Sequence, residues 1–104
     1  MAVEETRLGI PLLFGADVIH GMRTVFPIPL GEAASFEPAL AKRTARAAAV
    51  EATATGLHWT FAPTVDIARD QRWGRVAEAA GEDVFLSCAF AVARVQGFQG
   101  DDLK

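Results

Sequence analysis

Two short apolar runs alternate with two longer segments of helical character. Residues 8–16 form a nearly continuous apolar run, and residues 57–62 form a shorter run with aromatic side chains that stops at Pro63. Runs of this kind favour strands, and the first is typical of a strand that is covered on both faces. The pattern therefore predicts one strand that ends at Asp17 and another that ends before Pro63.

A helix is indicated between the two strands. Pro38 suits a first helical turn, and Gly56 suits the position just after a helix. Small residues recur between them at spacings of four, three and four, which places them on one helix face. We expect this narrow stripe to pack closely on a sheet: Ala41, Ala45, Ala48 and Ala52.

A second helix is predicted from an N-cap at Asp83 to a stop at Gly97. It is apolar on almost every side, and its interior polar residues are Ser87, Arg94 and Gln96. A helix with so little polar surface is normally covered by neighbouring elements. The pattern therefore indicates part of a larger fold.

The order strand, helix, strand, helix predicts an α/β fold with parallel strands joined by a right-handed crossover. In such folds ligands bind beyond the carboxyl ends of the strands. Asp17 follows the first predicted strand, and Asp66 follows the second together with an arginine-rich loop. We expect these polar residues to share one face.

Composition excludes several classes of function. The chain has 104 residues, 51% of them hydrophobic, and a formal net charge of −3. A nucleic-acid partner is not predicted, because a phosphate-binding surface needs clustered positive charge. A nucleotide cofactor is not predicted either, since the glycines lack the spacing of a phosphate-binding loop. No apolar run approaches the ~20 residues of a membrane span, so we expect no membrane partner.

The single cysteine, Cys88, lies in the apolar second helix and is predicted to be a small core residue. One cysteine excludes a disulfide within the chain. The first residues are acidic and lack the basic start and apolar block of a secretion signal. The compartment is therefore not determined by the residues themselves.

The loop at residues 69–83 combines three arginines, several acidic residues and Trp73. A guanidinium fork beside an aromatic ring suits a polyhydroxylated ligand such as a sugar. Salt bridges that stiffen the loop are the alternative for each arginine. Arg75 is the best candidate for ligand binding, because Gly74 allows close approach of the backbone.

Asp17 is the second candidate, because its neighbours along the chain are hydrophobic. A carboxylate there needs hydrogen-bond partners. It could accept hydrogen bonds from two sugar hydroxyls, or it could form a structural ion pair with Arg23 or an Asx-type turn. The residues alone leave these alternatives open.

Asp17 with Glu78 or Glu82 could also form the two-carboxylate pair of a glycosidase, which would need a separation of about 5 to 9.5 Å. The sequence gives no such distance. His20 and His58 are predicted to have structural roles or to lie at the edge of a substrate site, because no Cys/His cluster accompanies them. No metal site is predicted.

The chain resembles the amino-terminal barrel domain of glycoside hydrolase family 3, of the bacterial β-glucosidase type, over essentially its whole length. Several ordered motifs carry this resemblance. They are RLGIPLLFG (7–15), DVIHG (17–21), RTVFPIPL (23–30), FAPTVDIARD (61–70), RWGR (72–75) and GED (81–83).

The resemblance implies a partial (β/α)8 barrel, with residues 1–104 providing about the second and third strands and their helices. It implies a retaining, exo-acting β-glucosidase, without a cofactor, that acts on β-glucosides or oligosaccharides in the periplasm or outside the cell. Asp17 and Arg75 would bind the terminal sugar. The catalytic residues would lie beyond Lys104, so the isolated chain would be inactive.

Two alternatives remain. The first is a non-catalytic sugar-binding or self-assembling segment, which would associate through exposed strand edges. The second is a stand-alone α/β ligand-binding domain. Cooperative unfolding of a monomer would support the second alternative.

Overall fold

The computed structural model describes residues 2–101. Its elements, in chain order, are α1 (Ala2–Glu5), β1 (Gly15–Ala16), α2 (Pro29–Ala33), α3 (Pro38–Ala54), β2 (Trp59–Thr60), a 3₁₀ helix (Val76–Glu78) and α4 (Val84–Gln99). The two strands are parallel, with Gly15 opposite Trp59. The predicted strand, helix, strand, helix order is therefore confirmed.

Both strands are much shorter than the apolar runs that predicted them. Phe14 O accepts a hydrogen bond from His58 N at 2.9 Å, and Phe61 N donates to Ala16 O at 3.2 Å, so pairing extends little beyond β1 and β2. The side chain of Leu13 is 75% exposed. The prediction of a strand covered on both faces is wrong for this chain, because the adjacent residues Leu12 and Leu13, which in a strand would point to opposite faces, are both exposed.

The helix α3 begins at Pro38, and Gly56 follows its end with φ of +89°. Its alanine stripe is buried as predicted. The predicted partner, a sheet, is wrong, because the element that packs along α3 is the helix α4. A Cβ atom on Gly97 of α4 would lie 2.5 Å from Lys42 O and 2.7 Å from Ala45 Cβ. The small residues therefore allow a close contact between two helices.

The helix α4 begins as predicted, because the Asp83 side chain accepts a hydrogen bond from Leu86 N at 2.7 Å. The predicted stop at Gly97 is wrong. The helix continues to Gln99, and Gly100, with φ of +71°, follows its end. Gly97 is needed for the contact with α3 instead.

The outward face of α4 is exposed, with Phe85 at 86% of its possible accessible surface. Cys88 is also exposed, so its prediction as a core residue is wrong for this chain. The inward face carries Phe90, which packs with Ala33 and Ala41. Within residues 2–101, no helix is both long and apolar enough to cross a bilayer.

The helix α2 was not predicted, because the connection that contains it is rich in proline and glycine. Pro29 occupies its first turn, where the missing N–H has no helical partner to lose. A second small core lies beside α3, where Val18 packs with Ala48 and Ala52. Val18 is thus buried one residue after Asp17.

Candidate functional site

The candidate site lies at the carboxyl ends of β1 and β2. Asp17 directly follows β1, while Asp66 and Arg75 lie in the segment after β2. Hydrogen bonds to Glu78 make the largest contribution to the raised pKa of Arg75, and the charges of Asp17 and Asp66 add to it. Glu78 lies in the same segment as Arg75. We call these four side chains, which follow the carboxyl ends of the two parallel strands, the strand-end rim.

Arg75 and Glu78 form a two-point ion pair on this rim. Arg75 Nε lies 3.0 and 2.9 Å from the two Glu78 carboxylate oxygens, and Nη2 lies 2.6 Å from Oε2. These bonds are the first cause of the lowered pKa of Glu78, and a hydrogen bond from Thr64 and the charge of His20 lower it further. Glu78 is therefore ionised at neutral pH. The salt-bridge alternative for Arg75 is present in the structure.

A second ion pair of the same geometry lies in the loop before Trp73. Arg72 Nε is 3.0 Å and Nη2 is 2.6 Å from the Asp70 carboxylate. The hydrogen bonds from Arg72 lower the pKa of Asp70. The Arg72 side chain is 91% exposed, and exposed pairs of this kind contribute little to stability.

The Asp17 side chain is exposed, contrary to the expectation of hydrophobic surroundings. Its neighbour Val18 takes the buried position instead. Among the described residues no ion pair joins Asp17 to Arg23, whose backbone N donates to Glu51 Oε2 at 3.1 Å. The Asp17 carboxylate is therefore open to a ligand on the solvent side of the rim.

The segment after Asp17 is anchored by a buried polar network. Arg94 of α4 donates a hydrogen bond from Nη1 to Ile19 O at 3.2 Å, and its Nη2 pairs with the Glu32 carboxylate. The Thr44 hydroxyl also donates to Glu32. This network connects α2, α3 and α4 to the loop that carries Asp17.

The two histidines have backbone partners. His20 Nδ1 lies 3.0 Å from Phe26 O, and because a carbonyl can only accept, this nitrogen carries the proton. His58 Nδ1 accepts from Phe14 N at 3.3 Å. Structural roles, or positions at the edge of a substrate site, are predicted for both, and these hydrogen bonds favour structural roles. Within residues 2–101, no three His, Cys, Asp or Glu side chains are grouped to hold a metal ion.

The turn before Arg75 is closed by Trp73, whose N–H donates to Asp70 O at 3.0 Å. Gly74 has open space beside it, since a Cβ atom there would meet nothing within 4 Å. Gly74 is therefore not required by close packing against other atoms of the described chain.

The whole chain, residues 1–104, matches the profile of the glycosyl hydrolase family 3 N terminal domain. The chain belongs to glycosyl hydrolase family 3. It is 48% identical over 95 residues to a periplasmic beta-glucosidase of Salmonella typhimurium, covering 91% of this chain and 12% of that protein. It is 39% identical over 103 residues to a putative beta-xylosidase of Formosa agariphila, covering 95% of this chain and 14% of the relative.

Solved structures of family 3 proteins share the fold of the chain. A beta-glucosidase from Listeria innocua, in complex with laminaribiose, aligns with a TM-score of 0.88 at 54% identity, over 95% of this chain and 14% of that one. A beta-glucosidase involved in saponin metabolism from intestinal bacteria aligns with a TM-score of 0.90 at 50% identity, over 97% of this chain and 14% of that one. The chain thus spans 12% to 14% of these relatives.

These comparisons confirm the predicted resemblance and the predicted fold class, an α/β part of a (β/α)8 barrel with parallel strands. Sequence reasoning missed the Glu32–Arg94 pair. The only available signal was an arginine inside an otherwise apolar helix, and Glu32 lies 62 residues away along the chain. It also did not single out Glu78 as the partner of Arg75 among the several nearby acidic residues.

Proposed function

We propose that this family 3 chain is part of the barrel of a retaining, exo-acting β-glycosidase that removes terminal β-D-glycosyl residues. Residues 1–104 would provide about the second and third strands of the barrel with their helices. Family membership and the relatives, which are beta-glucosidases and beta-xylosidases, support this proposal. The small share of each relative that the chain covers is consistent with a role as one part of the enzyme.

In this proposal Asp17 and Arg75 bind hydroxyl groups of the terminal sugar. A carboxylate accepts hydrogen bonds from two hydroxyls, and a guanidinium donates in a fixed fork. The observation that carries the assignment is that both residues are exposed and follow the carboxyl ends of the parallel strands β1 and β2. A sugar substrate is also supported by the Listeria innocua structures, which contain laminaribiose or glucose.

In this proposal the residues that carry out the covalent step lie in other segments of the complete enzyme. A retaining enzyme needs a carboxylate nucleophile and an acid/base carboxyl group about 5 to 5.5 Å apart. Glu78 is not a good candidate for either role, because it is committed to Arg75. We therefore assign the nucleophile and the acid/base residue to other segments of the complete enzyme, and no cofactor is needed. The resemblance to family 3 also implies a Lys-His sugar-binding pair in those segments.

The periplasm or the cell exterior is the proposed location. The relative from Salmonella typhimurium is named a periplasmic beta-glucosidase. Export of a tagged complete protein, followed by fractionation of the cells, tests this proposal directly.

The sugar-binding role is tested by Asp17→Ala in the complete enzyme. This can be made by replacing the matching segment of the Listeria innocua beta-glucosidase with this chain. We expect a loss of about 2 to 5 kcal/mol of transition-state stabilisation in kcat/KM for p-nitrophenyl β-D-glucoside, as for a charged hydrogen bond lost from a binding site. Asp70→Ala is the matched control, because Asp70 pairs with Arg72. Unchanged kcat/KM for Asp17→Ala would exclude the role.

A self-assembling segment remains the second candidate, and the exposed apolar side chains around β1 favour it. They include Leu8, Ile10, Leu12, Leu13 and Phe14. Copies of the chain could cover these side chains through their unpaired strand edges. Light scattering over a dilution series distinguishes the candidates, since a self-assembling segment gives one defined oligomer mass, whereas an isolated part of a barrel aggregates or stays molten.

A further inference from the structure

The ion pair with Glu78 uses only one side of the Arg75 guanidinium. A guanidinium carries five N–H groups and can bind through its Nε/Nη2 side or its Nη1/Nη2 side. Glu78 occupies the Nε/Nη2 side. In the described part of the chain, Arg75 Nη1 makes no hydrogen bond within 3.5 Å. The second side of the fork is therefore available to a ligand.

Glu78 is itself held in place on the rim. It ends the 3₁₀ helix, where its backbone N donates to Arg75 O at 3.0 Å. Thr64 Oγ1 donates to Glu78 Oε2 at 3.3 Å. The Glu78 side chain is 26% exposed against 56% for Arg75. The less exposed and better anchored partner thus fixes the more exposed one.

We propose that Glu78 is a positioning residue, which holds the Arg75 guanidinium with its second side toward the terminal sugar. This inference rests on the proposed role of Arg75 in binding that sugar. An unpaired arginine loses rotamer freedom when it binds a ligand, and a pre-oriented one does not. Glu78 contributes to binding through Arg75 and does not touch the sugar.

The loop contains a matched pair for comparison. Arg72 and Asp70 have the same two-point geometry, but both side chains are more than half exposed. Asp70→Ala therefore removes an ion pair of the same kind without affecting the Arg75 fork. This control variant shows whether a loss of activity comes from releasing Arg75 in particular or from losing any salt bridge in this loop.

The test uses the complete enzyme and measures kcat/KM for p-nitrophenyl β-D-glucoside. We expect Glu78→Ala to lower kcat/KM about 3- to 10-fold, the effect of leaving one long side chain unfixed. Its melting temperature should change little, because Arg75 is 56% exposed and solvent weakens the pair. Asp70→Ala should leave kcat/KM unchanged. Glu78→Gln, which keeps an acceptor for Arg75, should lie between wild type and Glu78→Ala and serves in its place if Glu78→Ala does not fold.

A double-mutant cycle isolates the connection to Arg75. If Glu78 acts through Arg75, Glu78→Ala has no further effect in an Arg75→Ala background. A full additional loss in that background, or a loss above about 1,000-fold in Glu78→Ala alone, would overturn the inference. If Arg75→Ala is impaired and both Glu78 variants behave as wild type, the inference fails and the proposed function stands. If Arg75→Ala itself is unaffected, both fail.

Discussion

The layer formed by α2, α3 and α4, which we call the helical layer, and the pair of strands differ in how far the rest of the described chain covers them. In the helical layer, the alanine stripe of α3 is buried against α4, and Arg94, only 7% exposed, has its charge paired with Glu32. Beside the strands, large apolar side chains such as Leu13 face solvent. Within residues 2–101, the inward faces of the helices are thus covered, whereas each strand has no neighbour other than its partner strand.

The difference follows from the geometry of the two kinds of element. An α-helix satisfies its own backbone hydrogen bonds and needs only one packed face. A strand in a parallel sheet needs a neighbour on each side and a cover on each face. Two parallel strands therefore keep an unpaired edge each, while two helices can share one core.

The largest expected effect concerns the charge buried in the helical layer. We expect Arg94→Met to reduce the free energy of unfolding by about 3 to 5 kcal/mol, because it leaves the buried Glu32 carboxylate without its partner. Urea denaturation followed by circular dichroism at 222 nm measures this loss. The double variant Glu32→Leu/Arg94→Met should recover part of it, since no unpaired charge remains.

The control for Arg94→Met is Arg43→Met. Arg43 pairs with Glu37 at 3.7 Å, and both side chains are mostly exposed. We expect Arg43→Met to lower the free energy of unfolding by at most about 1 kcal/mol. If Arg94→Met costs no more than Arg43→Met, the helical layer does not depend on its buried pair.

The next effect concerns the contact between α3 and α4. Gly97→Ala places a Cβ atom 2.5 Å from the backbone oxygen of Lys42, which no side-chain rotation can relieve. Alanine favours a helix by about 1 kcal/mol over glycine, but we expect the overpacking to outweigh this gain. The free energy of unfolding should therefore fall by about 1 to 3 kcal/mol. Gly74→Ala is the control, because its Cβ would meet nothing within 4 Å. A stabilised Gly97→Ala variant in urea denaturation would show that the helices separate easily.

Local signals in the sequence were sufficient for the helices. The spacing of the alanines, Pro38 in the first turn, Gly56 after α3 and the Asp83 cap each depend on residues a few positions apart. The strand lengths could not be obtained in this way, because they depend on which chains lie beside them. An apolar run indicates which residues the complete fold would cover. In this chain β1 and β2 pair over only two residues each, which is much less than the run at residues 8–16.

The candidate site shows the same limit. Parallel strand order predicted Asp17 and the arginine loop at one end of the sheet, and the two strands that they follow are indeed parallel. Spacing could not select Glu78 as the partner of Arg75 among the nearby acids. Nor could it reveal the link from Arg94 to Ile19 O, because a pairing between distant residues leaves no periodic signal.

The smallest expected effect concerns Asp83, where the polar loop meets the helical layer. Its carboxylate caps α4 through Leu86 N, whereas Glu37 precedes α3 without a side-chain cap bond. Asp83→Ala should therefore cost about 0.5 to 2 kcal/mol, and Glu37→Ala less than about 0.5 kcal/mol. Urea denaturation of the two variants compares them directly. Equal losses would mean that α4 is fixed by its packing on α3 alone, and that the loop carrying Arg75 is not coupled to the start of the helix.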